Sequence, residues 1–253
     1  MKPLKSLLLF SVVVTCIGIF SCNKMVDPSF EQSDYPKEVE TIMLKKCATA
    51  GCHNDQSYQN AGNLNLSTYT KLLGGAINGA VVIPFSPGQS SLMQFVNTYA
   101  DLGLSTTPTM PLNADPLSRD EVLILKNWIS NGCPDKNGVI PFASNADTRN
   151  KIYITNQGCD IVSVVDAETQ LVMRYVSVGQ FDNIPESPHN VRVSDDKKYW
   201  FVCFINGNYI QQFDAVTDTF MNKYDIGNGL WNVIKVSNDN KKAFVSDLSS
   251  NGK

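Results

Sequence analysis

Two periods of hydrophobicity divide this chain, and the change falls near residue 150. Before it, apolar residues recur every three or four positions in short runs cut by glycine and proline; after it they alternate at the spacing of strands. Val39, Ile42 and Met43 mark one face of a helix that runs straight into Cys47, with Pro36 in its first turn and Ser33 and Asp34 as possible caps. Leu64, Leu66, Tyr69, Leu72 and Leu73 form a second apolar group, broken by Gly74, Gly75 and Gly79 and followed by a turn signal at Pro84 to Gly88. Ser90 or Ser91 can cap a short helix carrying Leu92, Met93, Phe95 and Val96. A last helix opens at Ser118, with Glu121 in the capping-box position, and stops at Gly132. Val122, Leu125, Trp128 and Ile129 are its inner stripe.

From Lys151 onward the chain repeats itself. Lys151, Lys198 and Lys242 open similar apolar segments 47 and 44 residues apart. The turn beginning at Asp166 recurs at Asp214, and the stretch from Asn190 to Lys198 recurs from Val233 to Lys242. A period in the mid-forties with four strands per unit is a β-propeller signature. The pattern predicts three strands before Ser187, four from Val191 to Ile226 and two after Trp231. The smallest rings use roughly sixteen strands, so the sequence is expected to be the front part of a longer protein.

At the other end, Lys2 and Lys5 precede an apolar run from Leu7 to Phe20, the layout of an export signal. Ile19, Phe20 and Ser21 before Cys22 resemble a bacterial lipobox. That resemblance implies cleavage before Cys22, acylation of that residue, and a protein held outside the cytoplasm on a bacterial membrane, in the periplasm or at the cell surface. An ordinary secretory signal is the alternative. The expected organisation is a signal peptide over 1–21, a flexible tether over 22–35, a first domain over 36–135 and a strand-rich domain over 148–253.

Composition narrows the chemistry. Charged residues make up 18% and the net charge is −3, without a basic patch, which argues against nucleic acid as a partner. There are 2 histidines, His53 and His189, so any histidine ligand must be one of them. The seven cysteines, at 16, 22, 47, 52, 133, 159 and 203, are too scattered for a disulfide framework. Cys133, Cys159 and Cys203 take no assigned partner, and Cys203 reads as a small core residue, as Met43 and Met93 do. No nucleophile with a base and no paired carboxylates stand out, so no enzymatic activity is assigned.

Visible chemistry concentrates at Cys47, Cys52 and His53. The c-type haem attachment motif is C-x-x-C-H; here four small residues, Ala48 to Gly51, separate the thiols. On these residues alone a local Cys47–Cys52 disulfide remains open, whereas structural zinc would want four ligands. The order of pieces around them resembles the small cytochrome c domains of planctomycete-type and Bacteroidetes-type secreted proteins. The matching pieces are the helix into the cysteines, Leu64 to Leu72, Pro87 to Leu92, Met110 with Pro111, and Trp128 to Gly132. The resemblance implies covalent haem c on Cys47 and Cys52, with His53 and Met110 as iron ligands. The second half resembles YVTN-type propeller repeats at Ile152 to Asn156, Val162 to Asp166 and Pro188 to Lys197, which implies a hydrogen-bonding loop role for His189. The expected fold is thus a mostly α cytochrome c-like domain followed by an all-β incomplete propeller. The expected function is electron transfer by a lipid-anchored cytochrome whose propeller docks a protein or ligand, the redox partner being unidentified. The alternatives are a haem-plus-propeller oxidoreductase whose catalytic part lies beyond residue 253 and a haem-free surface binding lipoprotein.

Overall fold

Helical spacing in the first half is interrupted before any helix grows long, and the architecture follows from that. The computed structural model describes residues 32–142 and 149–249. The expected signal peptide, Cys22 and most of the tether lie outside them. The helices are α1 (Lys37–Ile42), α2 (Tyr69–Leu73), α3 (Ser91–Val96) and α4 (Arg119–Ser130), and among the described residues only α4 exceeds 6 residues. The expected mostly α cytochrome c-like domain ahead of an incomplete propeller is therefore corrected. Among the described residues strand outweighs helix, 26% against 20%, and the strands lie in three separate sheets. The periodicity is real, but three of the four α-helices end within two turns, too soon for a bundle to form.

What the short helices lack in length they make up in shared packing. Val39, Ile42, Met43 and Cys47 from the first segment meet Leu66, Leu72, Val122, Leu125 and Ile129 in one apolar core. Tyr69 stands edge-on to both Tyr35 and Trp128, with ring centroids at 6.0 and 6.5 Å. α4 carries both halves of the predicted capping box: Ser118 accepts from the Glu121 amide, and the Glu121 carboxylate accepts from the Ser118 amide. Elsewhere the caps differ from expectation. Pro36 itself is the N-cap of α1, and the Ser33 hydroxyl donates to Glu40 instead of capping. Ser90 precedes α3 but is fully buried, accepting from the Ile83 amide at 2.9 Å and donating to the Ser86 carbonyl at 2.9 Å.

The second half holds nine strands among the described residues. β1 (Lys151–Asn156), β2 (Ile161–Asp166) and β3 (Val172–Ser177) form one antiparallel sheet. β4 (Pro188–Val193), β5 (Tyr199–Phe204), β6 (Tyr209–Asp214) and β7 (Phe220–Asp225) form the second, and β8 (Trp231–Val236) with β9 (Ala243–Asp247) the third. Three, four and two strands is the expected count. β4 has β1 on one side and β8 on the other.

The sequence repeat is a repeat of turns as well as strands. Asp166 accepts from the amides two and three residues on, and Asp214 does the same. Ser194 with Asp196 closes the β4–β5 turn by the same bonds with which Ser237 and Asp239 close β8–β9. Trp200 lies at the heart of the second sheet, fully buried and stacked on Phe213 at 4.0 Å with the rings 5° from parallel. Its indole N–H donates to Asp218, a buried carboxylate that also accepts from Lys151 and Tyr153 of the first sheet. One acidic side chain thereby joins two sheets.

Trp200→Ala should remove about 3–5 kcal/mol from unfolding stability. Trp200→Phe, which keeps an aromatic ring against Phe213 but loses the indole donor and part of the buried ring, should cost clearly less. Equilibrium denaturation of the two variants checks this, and equal losses would rule out the stack as the larger contribution.

Candidate functional site

The Cys47–His53 segment begins where α1 widens. Met43–Cys47 is a single π turn, closed by the Ala48 amide donating to the Met43 carbonyl at 2.7 Å. Cys47 ends that turn facing the core. The chain then loops through Thr49, whose carbonyl accepts from the Cys52 amide at 3.0 Å. Gly51 sits at φ 79°, in the left-handed region open to glycine, and this lets so short a loop reverse. The His53 amide returns to the Cys47 carbonyl at 3.1 Å. Both thiols and the imidazole thus lie on one closed loop.

His53 is gripped from the far side by Leu64 to Leu66. Its carbonyl accepts from the Leu66 amide at 2.8 Å, and its Nδ1 lies 3.1 Å from the Leu64 carbonyl. A carbonyl oxygen only accepts, so Nδ1 must carry the proton. In the neutral ring Nε2 is then the atom with the free lone pair. Two residues on, Asp55 accepts from Asn65 at 2.8 Å and pairs with Lys71 at 3.0 Å. Those two hydrogen bonds hold its carboxyl below the usual range.

The cysteines are unpaired, and their settings differ. Cys47 is buried and Cys52 half-buried. Burial, with lesser effects of Cys52 and Glu121, pushes the Cys47 thiol up to about 11; the nearby Lys46 pulls the other way. Lys46 pairs with Glu121 at 2.8 Å, which ties the end of the π turn to the capped start of α4. Met110 packs, partly buried, against the same apolar core as Cys47, and its amide donates to the Phe95 carbonyl at 2.8 Å.

Other candidates sit elsewhere. His189 lies on strand β4, not in a loop, with Nδ1 2.5 Å from Gln157 Nε2 and its carbonyl accepting from the Thr155 hydroxyl. Cys133 and Cys203 are fully buried, Cys159 is exposed, and all three are free thiols. Among the described residues no group of three or more His, Cys, Asp or Glu is placed to hold a metal ion by itself. Nor is any helix among them long and apolar enough to cross a membrane. The hydrogen-bonding of Asn54 went unrecognised in the sequence, although an asparagine in a polar run after a tight loop is a known turn signal.

No protein-family model and no curated protein matches the chain. Among solved structures, Kuenenia stuttgartiensis hydrazine synthase is similar with a TM-score of 0.33 and 23% identity, over 40% of this chain. The match spans 27% of the hydrazine synthase chain.

The burial pattern predicts an order of thiol reactivity. Cys47 at about 11, Cys133 at about 12 and Cys203 at about 11 are all raised mainly by burial. At pH 8 a thiol moved from 9.0 to about 11 holds about a hundredfold less thiolate. Brief iodoacetamide treatment of the native protein should therefore label Cys52 and Cys159 first, and the other three only after unfolding. Peptide mass spectrometry gives the order, and fast labelling of Cys47 would contradict its burial.

Proposed function

We propose that this chain is an exported, lipid-anchored electron-transfer protein with haem c bound covalently through Cys47 and Cys52. The observation that carries the reading is the His53 imidazole: its Nδ1 is committed to the Leu64 carbonyl, which leaves the Nε2 lone pair to a ligand-binding role, on the same loop as two free thiols. The donor set fits the group. A thiol pair can form the two thioether links, an imidazole with a fixed tautomer can bind iron, and Met110, packed against the same core as Cys47, would offer a thioether as a second iron ligand. Once bound, the haem supplies a one-electron iron couple, and a His/Met ligand pair raises its potential. The cradle is built of loops and short helices and owes nothing to a helical bundle.

In this reading each residue has a limited task. Cys47 and Cys52 would hold the haem covalently, His53 would bind its iron, and Met110 would supply a second ligand suited to electron transfer. Cys22 carries the acyl anchor. The strand-rich half, with its exposed turns, serves as the platform on which a redox partner or ligand docks.

The test is to express the full chain in a bacterium with haem-attachment machinery and record the pyridine haemochrome spectrum of the exported protein. Covalent haem is expected, and it should vanish in the Cys47→Ser, Cys52→Ser double variant. Met110→Ala should keep the covalent haem and lose the sulfur-to-iron charge-transfer band of the oxidised protein. Cys22→Ser should move the protein from the membrane to the soluble fraction. Absence of covalent haem in the unaltered chain would overturn the proposal.

A further inference from the structure

We infer that Asn54 is the positioning residue of the Cys47–His53 loop: its carboxamide, outside the four-residue gap, holds that gap in the shape haem attachment needs. The inference rests on the haem reading above. Asn54 bonds in both directions. Its Nδ2 donates to the Thr49 carbonyl, inside the gap, at 2.9 Å. Its Oδ1 accepts from the Gln56 and Ser57 amides at 3.0 and 3.1 Å. The Ser57 hydroxyl lies 2.7 Å from Asn54 Oδ1 and 2.7 Å from the Cys52 carbonyl, and its single proton can serve either.

The Thr49 carbonyl is therefore a node that receives two donors, the Cys52 backbone amide from within the loop and the Asn54 side-chain Nδ2 from beyond it. This matters because the gap has little stiffness of its own. Ala48, Ala50 and Gly51 have no side-chain donors or acceptors, and Gly51 has open space where a Cβ would be. A longer gap between thiols allows more conformations, and each restraint on it raises the share in which both sulfurs face one ring edge. Asparagine suits the place because it has an acceptor and a donor on one short stem. Aspartate keeps the acceptor half and turns a second oxygen toward the Thr49 carbonyl. Alanine loses both halves.

The experiment compares the unaltered chain with Asn54→Ala, Asn54→Asp and Ser57→Ala, each exported by a strain that attaches haem. Three quantities are read: haem per polypeptide, midpoint potential, and the iodoacetamide labelling rate of Cys52 in haem-free protein at pH 8. Asn54→Ala should lower haem loading at least threefold, shift the potential of whatever fraction is loaded, and speed Cys52 labelling severalfold. Asn54→Asp should fall between alanine and the unaltered chain. Ser57→Ala, which leaves the Asn54–Thr49 bond intact, should lose less than Asn54→Ala, and Asn54→Asp, which loses the donor to Thr49, stands in if the alanine variant does not fold. Equal loading, potential and labelling across all four proteins overturns the role of Asn54 while leaving the haem proposal standing. If the unaltered chain takes no haem, the haem proposal falls, and the labelling rates alone decide whether Asn54 holds the loop.

Discussion

Backbone groups that no long helix or sheet can satisfy are the constraint under which residues 33–142 are built. Buried amides and carbonyls must find partners, and here side chains and isolated backbone pairs supply them. The Tyr35 hydroxyl lies at the Leu66 and Thr68 carbonyls, 3.2 and 3.0 Å away, and the Tyr69 hydroxyl donates to the Cys133 carbonyl at 2.7 Å. The Trp128 indole donates to the Pro134 carbonyl at 2.8 Å. Asn97 serves Gly103 and Leu104 in the same way. These bonds satisfy loop carbonyls that no helix or sheet reaches. The His53–Leu66 and His53–Leu64 pairs belong to this network, so the candidate ligand is oriented by the same means that keeps the domain folded.

The second half obeys a simpler rule, and its sequence was correspondingly easier to read. The strand count came directly from alternation, and the repeated Asp-x-x-Thr and Ser-x-Asp turns mark where four of the six hairpins close, because those side chains cap their own turns. α4 was equally legible: Ser118, Glu121 and Gly132 mark both ends within the sequence itself. The fold class was not legible, because apolar spacing over six residues looks the same whether a helix continues or stops. Ser33 and Ser90 show a related limit. Both stand where a cap is expected, yet their hydroxyls go to Glu40 and to the Ile83–Ser86 turn, partners fixed only once the chain has folded. Asp218 is the strongest case. Its partners Lys151 and Tyr153 are more than sixty residues away, and nothing local indicates that it is buried.

The π turn at Met43–Cys47 explains how the cysteine motif meets the core. In a continuous α-helix with Val39, Ile42 and Met43 inward, the next residue on the centre of that face, seven after Val39, is Lys46. Burying an ammonium there would carry a heavy desolvation cost. The wider turn takes up one more residue per revolution. Cys47 is then brought onto the buried face, and Lys46 moves to its flank, within 2.8 Å of Glu121. Glu121 is already held by Ser118 at the start of α4, so this ion pair is anchored at both ends. The first thiol owes its burial and its raised ionisation point to that one change of helical pitch. The second thiol, five residues on and half-buried, owes its position to Gly51 and to the Thr49 carbonyl. The unusual spacing of the motif thus corresponds to a division of labour. One cysteine is set by the packing of a helix and the other by a hydrogen-bonded loop, and His53 is clamped between that loop and Leu64.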